Sequence, residues 1–105
     1  MQPNNRDVAS VWDMIQAIQR IQSFTSDLTF DEYLSDIRTI SAVERQFEIL
    51  GEAARRITNE FRQAHPDINW QRMIGLRNIV AHRYEEVRQD IYMVDYSLRT
   101  LSFVS

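Results

Sequence analysis

Val43-Glu44-Arg45-Gln46-Phe47-Glu48-Ile49-Leu50-Gly51-Glu52-Ala53-Ala54-Arg55-Arg56-Ile57-Thr58-Asn59-Glu60-Phe61 repeats its apolar residues at helical intervals. Val43, Phe47, Leu50, Ala54, Ile57 and Phe61 follow steps of four and three, so they share one face of an α-helix. The spacing predicts one long amphipathic helix reaching to about Arg62. Gly51 sits inside it, where glycine costs about 1 kcal/mol relative to alanine. The use of such a glycine is the close approach of another helix, within the chain or across a dimer.

Upstream, Val8, Val11, Trp12, Ile15 and Ile18 place a first helix over about Asp7 to Phe24, and Ser23 to Asp27 then reads as a turn. Thr29-Phe30-Asp31-Glu32 has the form of a capping box, and the small and β-branched residues from Ile37 to Ser41 allow a break after it. Downstream, Ala64-His65-Pro66-Asp67 ends the long helix, because proline disfavours helical geometry in the residue before it. Asn69 then caps a helix from Trp70 to about Ala81, with Ile68 and Met73 placed as a hydrophobic staple. Val87, Ile91, Val94, Leu98 and Leu101 form a heptad-like seam on a last helix. Trp12, Phe47 and Trp70 are expected in the core.

The 105 residues predict one domain, spanning residues 1–105, and only two glycines and two prolines leave few turns for an all-β fold. The expected fold is all-α: an antiparallel bundle of four to five helices. Its interior is limited, so some apolar surface is expected to be buried in a homodimer. With no cysteine, disulfide scaffolds, thiolate metal sites and cysteine nucleophiles are excluded. No apolar run is long enough to span a bilayer, and Met1 to Arg6 lacks a signal-peptide pattern, so a cytoplasmic protein with no membrane partner is expected. Twelve basic against fifteen acidic residues give a net charge of −3, which argues against bulk charge coating of nucleic acid. Yet every basic residue is arginine, whose planar fork suits phosphate; genomic base composition could give the same bias.

Reactive side chains concentrate in one segment, Gly75-Leu76-Arg77-Asn78-Ile79-Val80-Ala81-His82-Arg83-Tyr84. Imidazole exchanges protons near neutral pH, and guanidinium stabilises a phosphate gaining charge. Together they suffice to split a phosphodiester without a metal or other cofactor. On a straight helix, however, Arg77 and His82 would diverge by about 140°, whereas Asn78 and His82 would share a face. Convergence needs the helix to end near Ala81, or a second copy to supply the missing group. The structural alternative is that an arginine and a histidine near a helix end satisfy its last carbonyls.

Arg77 to Tyr84 resembles the R-x4-H-x-Y signature of HEPN-domain proteins, in particular the HepT toxin group, also described as DUF86-like. Glu48-Ile49-Leu50-Gly51-Glu52-Ala53 is similar to that family's glycine-glutamate-alanine segment. Pro66 to Trp70 followed by Gly75-Leu76-Arg77-Asn78 is similar to its approach to the motif, and the likeness covers most of the chain. The resemblance implies an all-α dimeric, HEPN-like bundle with two motifs meeting in a cleft, and a metal-independent endoribonuclease. It implies Arg77 and His82 as the catalytic pair and Asn78 as a positioning or phosphate-binding residue, and Arg83 beside them is a further candidate for positioning RNA or phosphate. It further implies a minimal nucleotidyltransferase antitoxin that transfers AMP to Tyr84, in a type VII toxin–antitoxin system. The alternative is a non-catalytic HEPN module that binds RNA, a nucleotide or the nucleotidyltransferase partner. Glu85 and Glu86 depart from the family pattern and would oppose RNA phosphates; Tyr92 and Met93 stand near where related sequences have tryptophan.

Other candidates are weaker. His65 is expected as an exposed cap residue. Glu48 and Glu52 could bind a metal or act as acid and base, but salt bridges to Arg55, Arg56 or the motif arginines are the simpler expectation. Arg55, Arg56 and Arg83 could extend a phosphate track, although paired surface charges are usually only solvated.

Overall fold

Five of the six α-helices among the described residues start where a side chain accepts from an otherwise orphaned backbone N–H. The computed structural model describes residues 4–104; Met1, Gln2 and Pro3, included above in the search for a signal peptide, lie outside the described residues. Asn4 accepts from Asp7 N at 2.7 Å and opens α1, Asn5–Thr25. Thr29 and Glu32 exchange the two bonds of the expected capping box, at 3.1 and 2.9 Å, and open α2, Phe30–Leu34. Asp36 opens α3, Ile37–Arg56, Thr58 opens α4, Asn59–Ala64, and Asn69 opens α5, Trp70–Ile74. Single 3-10 turns at Leu76–Asn78 and Ala81–Arg83 lead into α6, Tyr84–Arg99.

The all-α expectation holds, and no strand occurs among the described residues. Three boundaries differ from expectation. The break expected over Ile37 to Ser41 falls earlier, at Ser35 and Asp36, because the Asp36 carboxylate caps the backbone N–H groups of Arg38 and Thr39 and opens α3 at Ile37. The long helix stops at Arg56 rather than Arg62, because Ile57 turns to extended backbone (φ −68°, ψ 135°) and Thr58 starts a new helix. The helix from Trp70 stops at Ile74 rather than Ala81. Three short helices thereby raise the number of α-helices to six among the described residues.

Three long helices carry one core. Val11, Met14, Ile15, Ile18 and Ile21 of α1 pack with Val43, Phe47, Leu50, Ala53 and Ala54 of α3, and the α6 seam Val87, Ile91, Val94 and Leu98 closes the cluster. Leu101, also expected on that seam, lies beyond the end of α6 at Arg99 and is half-buried. Trp70 and Phe47 are buried as expected, but Trp12 is 45% exposed. It lies one residue, about 100° of helix, beyond the fully buried Val11, and the core face runs through Met14 and Ile18 instead.

Direction follows from three ties. Asp7 and Asp13 of α1 bind Thr58 and Arg56 at the far end of α3, so these helices run antiparallel. Thr25 Oγ1 lies 3.2 Å from Tyr84 Oη, which puts the start of α6 beside the end of α1. Ser97 Oγ donates to Asp67 at 2.5 Å, which ties the end of α6 to the loop before α5.

Gly51 settles the close approach within the chain. A Cβ there would stand 3.1 Å from Ile74 O and 3.3 Å from Met73 O. The end of α5 therefore rests directly on the α3 backbone, and the signature segment leaves from that seat.

Candidate active site

The signature is a broken segment anchored at both ends. Gly75 ends α5, its N–H donating back to Gln71 O and Met73 O. Leu76 is fully buried, and the adjacent β-branched pair Ile79 and Val80 takes extended backbone (ψ 123° and 156°). β-Branched side chains lose rotamers in a helix, so this pair favours the break. Tyr84 is 6% exposed and starts α6. Arg72 and Asp90, paired at 3.2 Å, join α5 to α6 across the segment.

Between the anchors the chain faces solvent. Arg77 and Asn78 lie on the first 3-10 turn, His82 and Arg83 on the second, and all four are exposed. The 140° divergence of a straight helix therefore does not apply, since no helix joins Arg77 to His82. Among the described residues, the side chains of Arg77, Asn78 and His82 make no hydrogen bond or ion pair. They do not cap the carbonyls of a helix; that task falls to Arg62, whose Nη2 donates to Ala54 O at 3.2 Å and Arg55 O at 3.0 Å. Arg83 pairs with Glu86 at 3.0 Å.

Tyr84 points the other way. Its ring packs on Tyr33 and Phe47, with centroids 4.8 and 6.3 Å away. Burial raises its phenol pKa above the ordinary value, opposed by the Thr25 hydrogen bond and by Arg88. Burial, with the Tyr84 and Glu44 side chains, pushes Tyr33 up to about 12. Both phenols are therefore neutral near pH 7. Tyr33 and Tyr84 line a cavity of about 280 Å³ between the end of α1, α2 and the start of α6. Sequence periodicity gives no sign of this cavity, because its walls come from three separate elements.

The remaining candidates serve the fold. Glu48 pairs with Arg45 at 3.2 Å and Glu52 with Arg55 at 3.6 Å. Arg56 reaches Asp13, so the Arg55–Arg56 pair is occupied rather than free for a phosphate track. His65 caps α4 but is half-buried rather than exposed, its ring 4.4 Å from that of Phe61 while its carbonyl accepts from Trp70 Nε1. Asp7, 2% exposed, was not singled out by its pattern in the sequence; it accepts from Thr58 N at 3.0 Å and Thr58 Oγ1 at 2.7 Å.

The chain is an all-α helical domain with an exposed arginine–histidine segment between two anchored helices. Residues 14–94 match the family described as ribonuclease HepT-like, and the chain belongs to that family. A candidate RNase of Methanocaldococcus jannaschii is 39% identical over 82 residues, covering 77% of this chain and 75% of the relative. A probable ribonuclease HepT of Thermococcus cleftensis is 40% identical over 72 residues, covering 69% and 66%. A second candidate RNase of M. jannaschii is 35% identical over 83 residues, covering 79% and 69%. No solved structure matches the chain. A nuclease function is supported at the level of the family. Among the described residues, no helix is long and apolar enough to cross a membrane.

Proposed function

We propose that the chain is a metal-independent endoribonuclease and the toxin of a HEPN/nucleotidyltransferase pair. The observation that carries this reading is the state of Arg77, Asn78 and His82: exposed and unpartnered among the described residues, between the buried anchors Leu76 and Tyr84. In the reaction, the ribose 2′-oxygen attacks the adjacent phosphorus as its proton leaves to a base. The bond from phosphorus to the 5′-oxygen breaks, and that oxygen takes a proton. His82 supplies one of these proton transfers, and Arg77 binds the phosphoryl oxygens as their charge rises. Asn78 and Arg83 position the strand.

A second copy completes the cleft. Val80, Met93 and Tyr96 are 56%, 55% and 72% exposed, next to the motif and on the outer side of α6. A partner copy covering them buries apolar surface and brings its own arginine and histidine to the same groove.

Control lies at Tyr84. The nucleotidyltransferase directs Tyr84 Oη onto the α-phosphorus of ATP; pyrophosphate leaves, and the phenol proton passes to a base on the enzyme. Burial raises the pKa of Tyr84, so the phenol is neutral and needs that base to take its proton. The adenylyl group then starts at the cavity wall, with its negative charge close to the RNA path.

The test is cleavage of RNA by unmodified protein and by His82→Ala. Loss of cutting and of growth inhibition, with fold and mass of the assembly retained, supports the reading; equal activity in both proteins, or none in the wild type, sinks it. One observation favours a non-catalytic module that binds RNA, a nucleotide or the nucleotidyltransferase: Glu86 already neutralises Arg83. Intact mass after co-expression with the partner separates the two. A mass increase of AMP that disappears in Tyr84→Phe supports control of a toxin, and a stable unmodified complex supports the module.

A further inference from the structure

The cavity beside Tyr84 has walls of a particular chemistry. Phe30, Tyr33 and Tyr92 line it with aromatic rings, and the first two are stacked with their planes 19° apart. Thr25 and Tyr84 bring hydroxyls to it, and Gln22 adds an amide with both donor and acceptor. Glu85 and Arg88, paired at 3.3 Å, line it with side chains 47% exposed, and the Arg88 guanidinium lies 5.8 Å from the Tyr92 ring centroid. The two hydroxyls already partner each other, and Thr25 Oγ1 also donates to Ile21 O, but a purely apolar ligand would leave the Gln22 amide without a partner, at a cost. Inorganic phosphate would meet a single cation already paired with a carboxylate. Ring faces combined with convergent donors and acceptors are what receives an unstacked nucleobase. At about 280 Å³ the cavity lies just under the range of pockets for drug-sized ligands and has room for a nucleobase.

We propose that this cavity is a nucleobase pocket that holds one base of the RNA substrate, ring against the half-buried Phe30 at the rim of the buried Tyr33, with an exocyclic amino group donating to Glu85. The inference rests on the ribonuclease reading above. Tyr84 joins the two regions, since it forms the cavity wall two residues beyond His82, at most about 7 Å of extended chain. Glu85, which opposes phosphate on an RNA track, has a use at the pocket. A carboxylate accepts from the amino groups of adenine, cytosine and guanine, whereas the one ring N–H of uracil is flanked by carbonyls that repel it.

The experiment titrates the unmodified full chain with AMP, GMP, CMP, UMP and ribose 5-phosphate, following the ring signals of Tyr33 and Tyr84 by NMR. In parallel, cleavage is measured on single-stranded RNAs that differ in one base beside the cut. At least one amino-bearing mononucleotide is expected to shift both rings and bind at least fivefold more tightly than UMP. Glu85→Ala should abolish that discrimination and flatten the base preference of cleavage, at an unchanged melting temperature. Phe30→Ala should weaken binding about tenfold; if it fails to fold, Glu85→Ala still decides the matter. Unmoved rings, or equal shifts with ribose 5-phosphate, overturn the pocket even if RNA is cut. Moved rings without cleavage of any RNA overturn the nuclease reading and leave a mononucleotide site.

Discussion

Arg62 and Arg77 carry the same side chain into opposite surroundings. Arg62, half-buried at the junction of α3 and α4, spends its guanidinium on the last carbonyls of α3. Beside it, the buried carboxylate of Asp7 takes both donors of Thr58. At the signature segment the backbone is held just as firmly, by Leu76, Tyr84 and the seat on Gly51, yet Arg77, Asn78 and His82 are left open. Polar groups that close on their own chain hold the fold. Polar groups left open on an anchored backbone are available to something outside it.

Substitutions can break that contrast, and the largest effect is expected at Arg77. Arg77→Ala should lower RNA cleavage several hundredfold to a thousandfold, about 4 kcal/mol at the upper end, without moving the thermal midpoint. A drop in the midpoint would show that Arg77 also holds the fold. Asp7→Ala should do the reverse: about 3 kcal/mol lost in urea unfolding, because the Thr58 donors lose a charged acceptor, with cleavage by the folded fraction unchanged.

Alkaline titration sharpens the comparison at Tyr33. The folded chain keeps the phenol proton up to about 12, while the unfolded chain loses it near 10. The folded state therefore binds more protons in that window. The stabilisation is complete below pH 10 and declines by of order 2 kcal/mol as pH rises to 12. Tyr33→Phe should flatten this slope in unfolding measured at pH 9 and 11. Gly51→Ala is the smallest change, with a net cost of about 1 kcal/mol once helix propensity offsets the contact with the Ile74 carbonyl. A severalfold fall in kcat with unchanged RNA affinity would show that the seat of α5 aligns the motif.

Much of the fold was legible locally. The Thr29–Glu32 box, the Asn69 cap and the α6 seam from Val87 to Leu98 each depend on residues a few positions apart, and each forms as expected. The misses share a cause. Ile57 continues the apolar step of α3 yet leaves the helix, and Trp12 fits the α1 pattern yet faces solvent. Periodicity counts both as core-facing helix because it does not register where the neighbouring helix lies. The motif residues were legible as chemistry, but not their setting, since helix-compatible residues run from Trp70 to Ala81 without a proline to force the break.

The amino-acid sequence by itself determined that this is a helical chain and which segment bears the arginine, asparagine and histidine, because spacing, caps and composition act within a few residues. Only the tertiary structure decided that the segment leaves the helix at Gly75, turns its cations outward and drives Tyr84 into a cavity walled by three elements. Those outcomes depend on the backbone contact at Gly51 and on burial of Leu76 and Tyr84, which bring together residues far apart along the chain.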